Sequence, residues 1–411
     1  MIKIKKHIAL IVLFIFMFQC VSFGQGSTYS GHFTNSAPII WNGISNQTIS
    51  KLAITNSSGH CISLTNCSNI TIQYCKLGPS KNEGVYIYNC KNITVINCSM
   101  DSVDSGVFAV KSTGIKVNNN DVKNVLGPLP RGQMAQFAEI YGGGNSISNN
   151  VGENIAGQSF PEDEISLYMS NGIPGDPIRI VGNWIRGGGP SNSGGGIMTG
   201  DEGGSNILVQ NNILVDPGQY GITIASGNNI SIKNNKIYSK QQTFSNIGLS
   251  AYKQYAIDCS SDTIMNNEVN FTYKDGQLNN LLNNGGCGDV FGWNTNVYNP
   301  NLNSTILPSK IIGRAAKADT IATPPKPITD QTLKIYPNPD YAHGLIVTTT
   351  QTPITEKINI IDLKGQILIN LPINKSNTNI DTSNLAMGVY IIKITRNNVV
   401  VDVRKIIVVK N

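Results

Sequence analysis

The fold is decided by a repeat near the N-terminus, where Leu64-Thr-Asn-Cys-Ser-Asn-Ile-Thr-Ile-Gln-Tyr-Cys75 returns as Ile87-Tyr-Asn-Cys-Lys-Asn-Ile-Thr-Val-Ile-Asn-Cys98. The two stretches align with an offset of 23 residues. Each contains a short run in which apolar and polar residues alternate, which is the pattern of a β-strand with one buried face. A unit this short cannot bury that face alone, so consecutive copies must stack on one another.

Weaker copies extend the repeat through the middle of the chain. They occur at residues 112–120, 205–212 and 227–235, and each has Asn residues beside the alternating strand. Asn tolerates left-handed backbone and can hydrogen-bond to an Asn of the neighbouring copy. The pattern therefore predicts a solenoid of parallel strands over roughly residues 40–300, with rungs of about two dozen residues.

This repeat resembles the right-handed parallel β-helix superfamily that includes pectate lyases and polygalacturonases. The resemblance covers most of residues 40–300 and implies a right-handed parallel β-helix solenoid in an all-β chain, with carbohydrate as the substrate class. The polygalacturonase pattern of paired Asp residues with Gly-His-Gly is absent, because Gly59-His60-Cys61 departs from it. The resemblance is therefore specific for the fold and does not identify an activity.

The N-terminus has the features of a secretory signal peptide. Lys3, Lys5 and Lys6 precede an apolar run at 8–18, and small residues follow as far as Gly24. Residues 1–24 are predicted to be a signal peptide, with a lipoprotein modified at Cys20 as the alternative. No other apolar run is long enough to predict a transmembrane segment after cleavage.

A different composition begins after the solenoid. Residues 312–332 read as an extended linker, and residues 333–411 contain alternating strands separated by Gly and Asn turns, which predicts a small β-sandwich. The motifs Tyr336-Pro-Asn-Pro339, Leu363-Lys-Gly365 and Gly388-Val-Tyr390 resemble the C-terminal sorting domain of type IX secretion substrates of Gram-negative bacteria.

That resemblance implies the type IX secretion machinery as a partner and export through the periplasm and across the outer membrane, to the cell surface or the medium. A carbohydrate-binding sandwich is the alternative for this module. The predicted domains are therefore a signal peptide (1–24), a right-handed parallel β-helix (25–311), a linker (312–332) and a sorting domain (333–411).

The net charge of +6 comes from the two ends of the chain. The predicted β-helix carries sixteen Lys and Arg residues against eighteen Asp and Glu residues. This near-neutral body gives no electrostatic argument for nucleic acid as a partner.

The cysteines follow the repeat. Cys67 and Cys90 share one column, and Cys75 and Cys98 share another. The favoured interpretation is a ladder of small buried side chains, with disulfides between rungs as the alternative. In an oxidising compartment Cys259–Cys287 is the more plausible disulfide, which leaves Cys61 unpaired, and no cysteine spacing resembles a zinc site.

Departures from the repeat length indicate where function is concentrated. The predicted inward column is Ile62, Val85, Val107, Ala138, Ile165, Ile197, Ile222 and Leu249. The longest intervals lie between 107 and 197, and the extra residues fall in three loops at 127–135, 157–163 and 187–195. These loops enter the same strand edge on successive rungs, so they are expected to stand side by side and form a binding face over residues 127–202.

The side chains on this face are of the types that bind and cleave sugars. The candidate catalytic residues are Glu139, Asp163, Glu164 and Arg131. The candidate substrate-binding residues are Gln133, Gln136, Glu162, Tyr168, Arg186, Asp201 and Tyr220. Each of these residues taken alone also fits a solvated outward position.

The predicted register selects among the possible carboxylate pairs. Glu139 and Glu164 differ by two positions and one rung, or about 8 Å, within the range of roughly 6.5–9.5 Å for inverting glycosidases. Asp163 and Asp201 differ by six positions, or roughly 20 Å, which is too far for a shared acid–base site. Asp201 is expected instead to face the Tyr168 end of its neighbouring strand or to terminate its own strand.

The sequence leaves the reaction open. A polysaccharide lyase needs a base and a group that neutralises a uronate, for which Arg131 or Arg186 are candidates, and Glu162, Asp163 and Glu164 could hold Ca²⁺. The prediction is a secreted or cell-surface β-helix protein that acts on polysaccharide as a glycoside hydrolase or a lyase. The alternative is a non-catalytic glycan-binding or adhesive surface protein.

Overall fold

The computed structural model describes residues 31–313, 334–336, 344–348, 356–362, 366–373, 377–396 and 399–409. The predicted signal peptide and most of the predicted linker lie outside these ranges. The chain divides into two compact units, residues 1–317 and 318–411.

The first unit is a parallel β-helix whose strands form three stacks, named here sheets 1, 2 and 3 in the order in which a rung passes through them. Sheet 1 consists of Thr34–Ser36, Leu52–Asn56, Lys76–Ser80, Ser99–Asp101, Asp121–Lys123, Val151–Glu153, Trp184–Arg186, Ile213–Val215, Lys236–Ser239, Glu268–Phe271 and Val297–Tyr298. Sheet 2 consists of Ile39–Asn42, Ile62–Thr65, Val85–Tyr88, Val107–Val110, Ala135–Ala138, Ile165–Asn171, Ile197–Gln210, Tyr220–Ile224, Ile247–Ala251 and Leu281–Asn283. Sheet 3 consists of Ser45–Ser50, Ser68–Gln73, Lys91–Ile96, Thr113–Asn118, Ser146–Ser148, Ile178–Val181, the second half of Ile197–Gln210, Gly227–Lys233, Cys259–Ser260 and Thr263–Met265.

The predicted 23-residue repeat sets the register of the narrow rungs. Ile62 pairs with Val85, and Leu64 pairs with Ile87, so apolar side chains stack on like side chains inside the coil. All four are fully buried, whereas the alternate residues Ser63 and Tyr86 face outward and are half-buried. The predicted all-β solenoid is confirmed.

Asn residues form hydrogen-bonded ladders between rungs, as the sequence predicts. At the corner between sheets 2 and 3, Asn89 donates to Asn66 (2.7 Å) and Asn66 donates to Asn42 (3.0 Å). A second ladder is buried and runs through Asn120, Asn150, Asn183, Asn212, Asn235, Asn267 and Asn296, with amide-to-carbonyl distances between 2.7 and 3.0 Å. Each buried amide is thereby satisfied, which avoids the cost of an unpaired polar group in the core.

The cysteines follow the favoured interpretation. Cys67, Cys75, Cys90 and Cys98 are buried free thiols in the two predicted columns, and Cys61 is also free. Cys259 and Cys287 form the predicted disulfide, with 4.3 Å between their Cα atoms.

The predicted register is wrong at one rung. Ala135, rather than Ala138, pairs with both Val107 and Ile165. The stretch Ala135-Gln-Phe-Ala-Glu-Ile140 alternates in either register, and the backbone resolves the ambiguity by turning at Glu139, whose φ is +53°. Ala138 therefore ends its strand, three positions beyond the inward column.

Short segments complete the two units. The 3₁₀ turns Trp293–Thr295 and Ser304–Ile306 follow the last rungs, and Leu307 and Ile311 pack against Val151, Trp184 and Val215 beside sheet 1.

The C-terminal unit contains an antiparallel sheet of Lys334–Tyr336, Gly344–Thr348 and Asn377–Asp381, and a second of Glu356–Ile361, Ile367–Ile373, Gly388–Arg396 and Val399–Val408.

The two C-terminal sheets share one apolar core. Ile380 of the first sheet packs with Ile358, Ile392 and Ile406 of the second, which is the sandwich packing that the sequence predicts. Across the described ranges, no helix combines the length and apolar character needed to span a membrane.

Candidate functional site

The three long loops lie side by side at the start of sheet 2, as predicted. The amide of Glu162 donates to Gly132 O at 3.0 Å, which joins the first loop to the second. The amide of Gly195 donates to Asp163 Oδ1 at 3.1 Å, which joins the third loop to the second. The loops are therefore fixed to one another by hydrogen bonds from backbone amides and present a defined surface.

Four carboxylates lie along this surface, and we name Glu162, Asp163, Asp201 and Glu202 the acidic row. A hydroxyl group donates to each of them: Ser193 to Glu162 (2.5 Å), Tyr220 to Asp163, Tyr255 to Asp201 (2.6 Å) and Tyr168 to Glu202 (2.9 Å). Among the described residues, none of the four carboxylates forms an ion pair with Lys, Arg or His. The row is therefore held in place by neutral donors and keeps its negative potential.

Asp163 is buried, and its carboxyl pKa is raised more than that of Asp201. Burial, together with the charges of Glu162 and Asp201, raises the pKa of its carboxyl to about 7, against the hydrogen bonds from Tyr220 and Gly195, which lower it. Tyr220 and Gly195 both donate to Oδ1, which leaves Oδ2 without a hydrogen bond from either of them. A carboxyl group with this pKa can donate a proton to a substrate at physiological pH.

Asp201 lies at the other end of the same strand pair. It pairs in register with Tyr168, as predicted, and a bulge in its strand shortens the offset from Asp163 by one position. Burial raises the pKa of Asp201, and Glu202 adds to the rise. The charge of Asp201 is the smallest of the effects that raise the pKa of Asp163, so the two carboxyl groups interact electrostatically, and the observed register leaves five positions rather than six between the two residues.

A second group of charged residues lies on the same outward face, nearer the N-terminus, and we name His60, Glu83 and Arg131 the paired cluster. Glu83 Oε2 lies 2.7 Å from His60 Nδ1, and Glu83 Oε1 lies 3.1 Å from Arg131 Nε. The His60 ring stacks on Tyr86 with 4.9 Å between centroids, and the Arg131 guanidinium lies 3.8 Å above the Phe108 ring. Glu83 therefore contacts both basic side chains of the cluster, one through each carboxylate oxygen.

The pKa of Glu83 responds to these partners. Burial alone would raise it, but the hydrogen bond from His60 and the charges of His60 and Arg131 outweigh burial, so the pKa is lowered. Arg131 also donates to Gln136 at 2.6 Å. Arg131 is therefore fully engaged within the protein, although the sequence predicts it to be a catalytic base or a clamp for a substrate carboxylate.

The predicted Glu139–Glu164 pair does not form. Glu164 points inward, where it is fully buried and accepts from Asn154 Nδ2 at 2.7 Å, and burial raises its pKa well above the usual value. Glu139 turns outward at the corner of its rung and lies 3.9 Å from Lys111. In the observed register their offset is five positions rather than two, which is about 17 Å along the strand.

Two further candidate residues, Arg186 and Gln133, form hydrogen bonds that hold parts of the fold together. Arg186 belongs to sheet 1, where it contacts Glu153 (3.1 Å) and donates to the carbonyls of Pro308 (2.5 Å) and Ser309 (3.0 Å). It fastens the segment after the last rung, away from the three loops. Gln133 is buried, accepts from Ser105 Oγ at 3.0 Å and donates to Pro130 O at 3.2 Å, which fixes the first loop.

The suggested calcium ligands do not converge. Glu162 and Asp163 accept hydrogen bonds from the third loop, whereas Glu164 points into the core and bonds to Asn154. Within the described ranges, the one close grouping of metal-binding residue types is Cys259, Asp262 and Cys287, and both of its sulfur atoms belong to the disulfide. The donor set of Glu162, Asp163 and Glu164 therefore does not fit Ca²⁺, which requires six to eight converging oxygens.

The structure also brings to this face residues that the sequence patterns do not indicate. Tyr255 lies in a fourth insertion, residues 252–258, which is not among the three predicted loops, and it donates to Asp201. His60 and Glu83 are separated by 23 residues, the repeat offset itself, so their contact was readable from the sequence. Glu202 occupies a corner position with φ of +49°, where the narrow rungs place Asn.

Comparison with known proteins supports the two-part organisation. Residues 37–237 match the model of the right handed β-helix region, and residues 334–409 match the secretion system C-terminal sorting domain. No curated protein sequence matches the chain.

Similar solved structures are catalytic domains of GH87 α-1,3-glucanase. One, in complex with tetrasaccharides, is 16% identical with a TM-score of 0.43 over 62% of this chain and 50% of its own. Another, in complex with nigerose, is 14% identical with a TM-score of 0.40 over 67% of this chain and 63% of its own. The chain thus spans about half the length of the first of these neighbours.

The sorting domain assigns a location. The predicted type IX module is confirmed by the match over residues 334–409, and such a domain directs export across the outer membrane, to the cell surface or the medium. The protein is therefore an exported right-handed parallel β-helix protein with a C-terminal secretion sorting domain.

Proposed function

We propose that the protein is a glycoside hydrolase that cleaves a neutral polysaccharide at the acidic row. Asp163 acts as the general acid, and Asp201 acts as its anionic partner. The observation that carries the proposal is the difference between these two carboxyl groups. Asp163 is nearly buried with a pKa of about 7, whereas Asp201 is half-buried at the other end of the row. Pairs of carboxyl groups in unequal environments divide the acid and base roles in glycoside hydrolysis.

The chemistry follows from the hydrogen bonds. Tyr220 and Gly195 hold Asp163 Oδ1, so the proton on Oδ2 is free to pass to the glycosidic oxygen as the bond to the sugar breaks. The positive charge that develops on the sugar is stabilised by the negative row. Ionised Asp201, oriented by Tyr255, takes a proton from the attacking water, so that each product receives one part of the water molecule.

The arrangement favours hydrolysis over elimination. A lyase must neutralise the carboxylate of a uronate, and the two arginines that were candidates for this are engaged elsewhere. Arg131 contacts Glu83 and Phe108, and Arg186 holds the segment beside sheet 1. An anionic polymer would meet the ionised carboxylates of the acidic row, which have no ion-pair partner among the described residues, and this contact is unfavourable.

The proposal is tested with the secreted protein on a panel of α- and β-glucans, xylan and polygalacturonate, with release of reducing ends as the readout. D163N and D201N are expected to lower the rate on a neutral polymer by about 10²–10⁴-fold. E139Q is the matched control, because Glu139 lies outside the row, and it is expected to retain the wild-type rate.

Three outcomes would contradict the proposal. Cleavage that depends on Glu139 rather than Asp163 would move the site. An ultraviolet-absorbing unsaturated product from polygalacturonate would identify a lyase. Binding to a polymer without release of products would support the non-catalytic glycan-binding alternative.

A further inference from the structure

A cavity of about 370 Å³ adjoins the acidic row at the corner between sheets 2 and 3. Tyr141, Asn171, Glu202, Asn228 and Asp258 line its walls. This volume is near the lower end of the range of roughly 300–1,000 Å³ that small-molecule sites occupy. We name this cavity the corner pocket.

The pocket exists because the corner ladder changes composition. In the narrow rungs the corner column contains Asn66 and Asn89, whose side chains hydrogen-bond to each other, and Asn66 also donates to Asn42. In the following rungs the same column continues as Lys111, Glu139, Met169 and Glu202, all with positive φ between +47° and +53°. Left-handed backbone is costly for residues other than Gly, Asn and Asp, so its retention with Met and Glu here is unusual.

Glycines form the floor of the pocket. The strand Ile197–Gln210 runs through the corner without a turn, and Gly203 and Gly204 stand where side chains would otherwise project, with φ of +100° and +147°. A Cβ atom on Gly204 would lie 2.7 Å from Ser170 O, and one on Gly227 would lie 2.3 Å from Gly204 O. A side chain on either of these two glycines would meet neighbouring backbone, so the strands that form the floor can approach this closely only with glycine at both positions.

The pocket and the acidic row form one surface. Glu202 belongs to both, since it lines the pocket and accepts from Tyr168 in the row. The insertion 252–258 also contributes to both, because Tyr255 donates to Asp201 while Asp258 lines the pocket. The combined surface follows the strand Ile165–Asn171 from its start to its end, and therefore crosses the β-helix rather than running along its axis.

We propose that the corner pocket is a subsite that binds a neutral sugar unit of the polysaccharide that is cleaved at the acidic row. Tyr141 is 45% exposed and offers an aromatic ring for the apolar side of a pyranose. Asn171 and Asn228 offer amides, and Glu202 and Asp258 offer acceptors, for the sugar hydroxyls. Lys and Arg do not occur among the lining residues, so the pocket favours a neutral sugar over a uronate.

This inference rests on the proposed function for the identity of the polymer, but its test does not depend on catalysis. Binding is measured by isothermal titration calorimetry with the D163N protein, so that the ligand is not consumed. The probes are cellohexaose, laminarihexaose, maltohexaose and chitohexaose as neutral chains, and hexagalacturonate as the anionic chain.

At least one neutral probe is expected to bind D163N, and adding Y141A is expected to weaken that binding about tenfold or more. Y141F retains the ring and is expected to bind as the parent does, which separates stacking from folding. Y252A is the matched control, since Tyr252 is similarly exposed, at 48%, but does not line the pocket. With otherwise wild-type protein, Y141A is expected to raise KM about tenfold and leave kcat unchanged.

The failures of the two proposals are distinguishable. Equal binding by the parent and Y141A, failure of every neutral probe to bind, or tighter binding of hexagalacturonate would each overturn the subsite. If D163N abolished turnover while Y141A changed neither binding nor KM, the hydrolase proposal would be supported and the subsite refuted. Binding that depends on Tyr141 in a protein that cleaves nothing would establish the subsite and refute the hydrolase.

Discussion

The paired cluster and the acidic row occupy the same face of the same β-helix, yet they treat buried carboxylates in opposite ways. In the paired cluster, Glu83 has a basic side chain on each oxygen, and its pKa is lowered in spite of burial. In the acidic row, Asp163 receives neutral donors, and burial raises its pKa to about 7. The scaffold is the same, and the difference lies in which partners the loops supply.

The difference separates a group that stabilises the fold from one that does chemistry. An ion-paired carboxylate contributes to stability at neutral pH, whereas a carboxyl group with a raised pKa costs stability once it ionises. Proteins retain such unfavourable groups mainly where function requires them. The raised pKa of Asp163 thus agrees with the proposal that the acidic row, rather than the paired cluster, is the reactive site.

The largest expected effect is on the pH dependence of stability at the acidic row. The folded-state pKa of Asp163 is about 7 and the unfolded value is 3.8, so the folded state holds the proton more tightly. The contribution of Asp163 to stability should fall as pH rises from about 4 to about 7 and stay constant outside that window. The total change is about 4 kcal/mol, at roughly 1.4 kcal/mol for each pH unit.

D163N removes this titration while Asn Oδ1 still accepts from Tyr220 and Gly195. Thermal melts of both proteins at pH 4.5, 5.5, 6.5 and 7.5 measure the difference, in which contributions from other titrating groups cancel. D163N should be the more stable protein at about pH 7.5, and the gap should close toward pH 4.5. A gap that does not vary with pH would show that Asp163 titrates normally and would remove the contrast between the two regions.

The next effect is expected at the paired cluster. E83A leaves His60 and Arg131 side by side without the carboxylate that joins them. Since both are about a quarter exposed, we expect a loss of about 3 kcal/mol in the free energy of unfolding at neutral pH. Urea denaturation followed by tryptophan fluorescence measures it, and an unchanged midpoint would mean that the cluster does not stabilise the fold.

A smaller effect should follow from R131K. Lysine keeps the charge near Glu83 but loses the planar guanidinium that lies over Phe108 and reaches Gln136. We expect a loss of about 1 kcal/mol in the free energy of unfolding, with no change in turnover, because Arg131 serves the paired cluster. A large fall in kcat with stability retained would instead return Arg131 to the catalytic role that the sequence analysis predicts.

The repeat explains why most of the fold was predictable. In a parallel stack, equivalent residues of successive rungs are neighbours, so the 23-residue offset of Cys67 and Cys90 translates directly into a contact. The same logic predicted the corner ladder of Asn66 and Asn89. The three loops were predictable as well, because each enters the same strand edge.

The site was less predictable because its decisive features break the repeat. Ala135-Gln-Phe-Ala138 fits two registers, and only the turn at Glu139 distinguishes them. Charged residues usually face water, so the sequence predicts an outward Glu164, but the structure buries it fully, and burial raises its pKa well above the usual value. Tyr255 reaches Asp201 from a separate insertion, 54 residues away, and no periodicity encodes that contact.

The smallest effect is expected at Glu139, and it tests whether every acidic residue of the corner column belongs to the site or only Glu202 does. Glu139 stands in the same corner column as Glu202, but it lies 3.9 Å from Lys111 at a site where both side chains are partly exposed. An exposed ion pair at this distance contributes little, so E139Q and K111M should each change the free energy of unfolding by less than about 0.5 kcal/mol. In E202Q the carboxylate that accepts from Tyr168 in the acidic row is lost, so turnover should fall while stability is retained. If E139Q lowered turnover as much as E202Q does, the corner column as a whole would belong to the site, and its boundary would move toward the paired cluster.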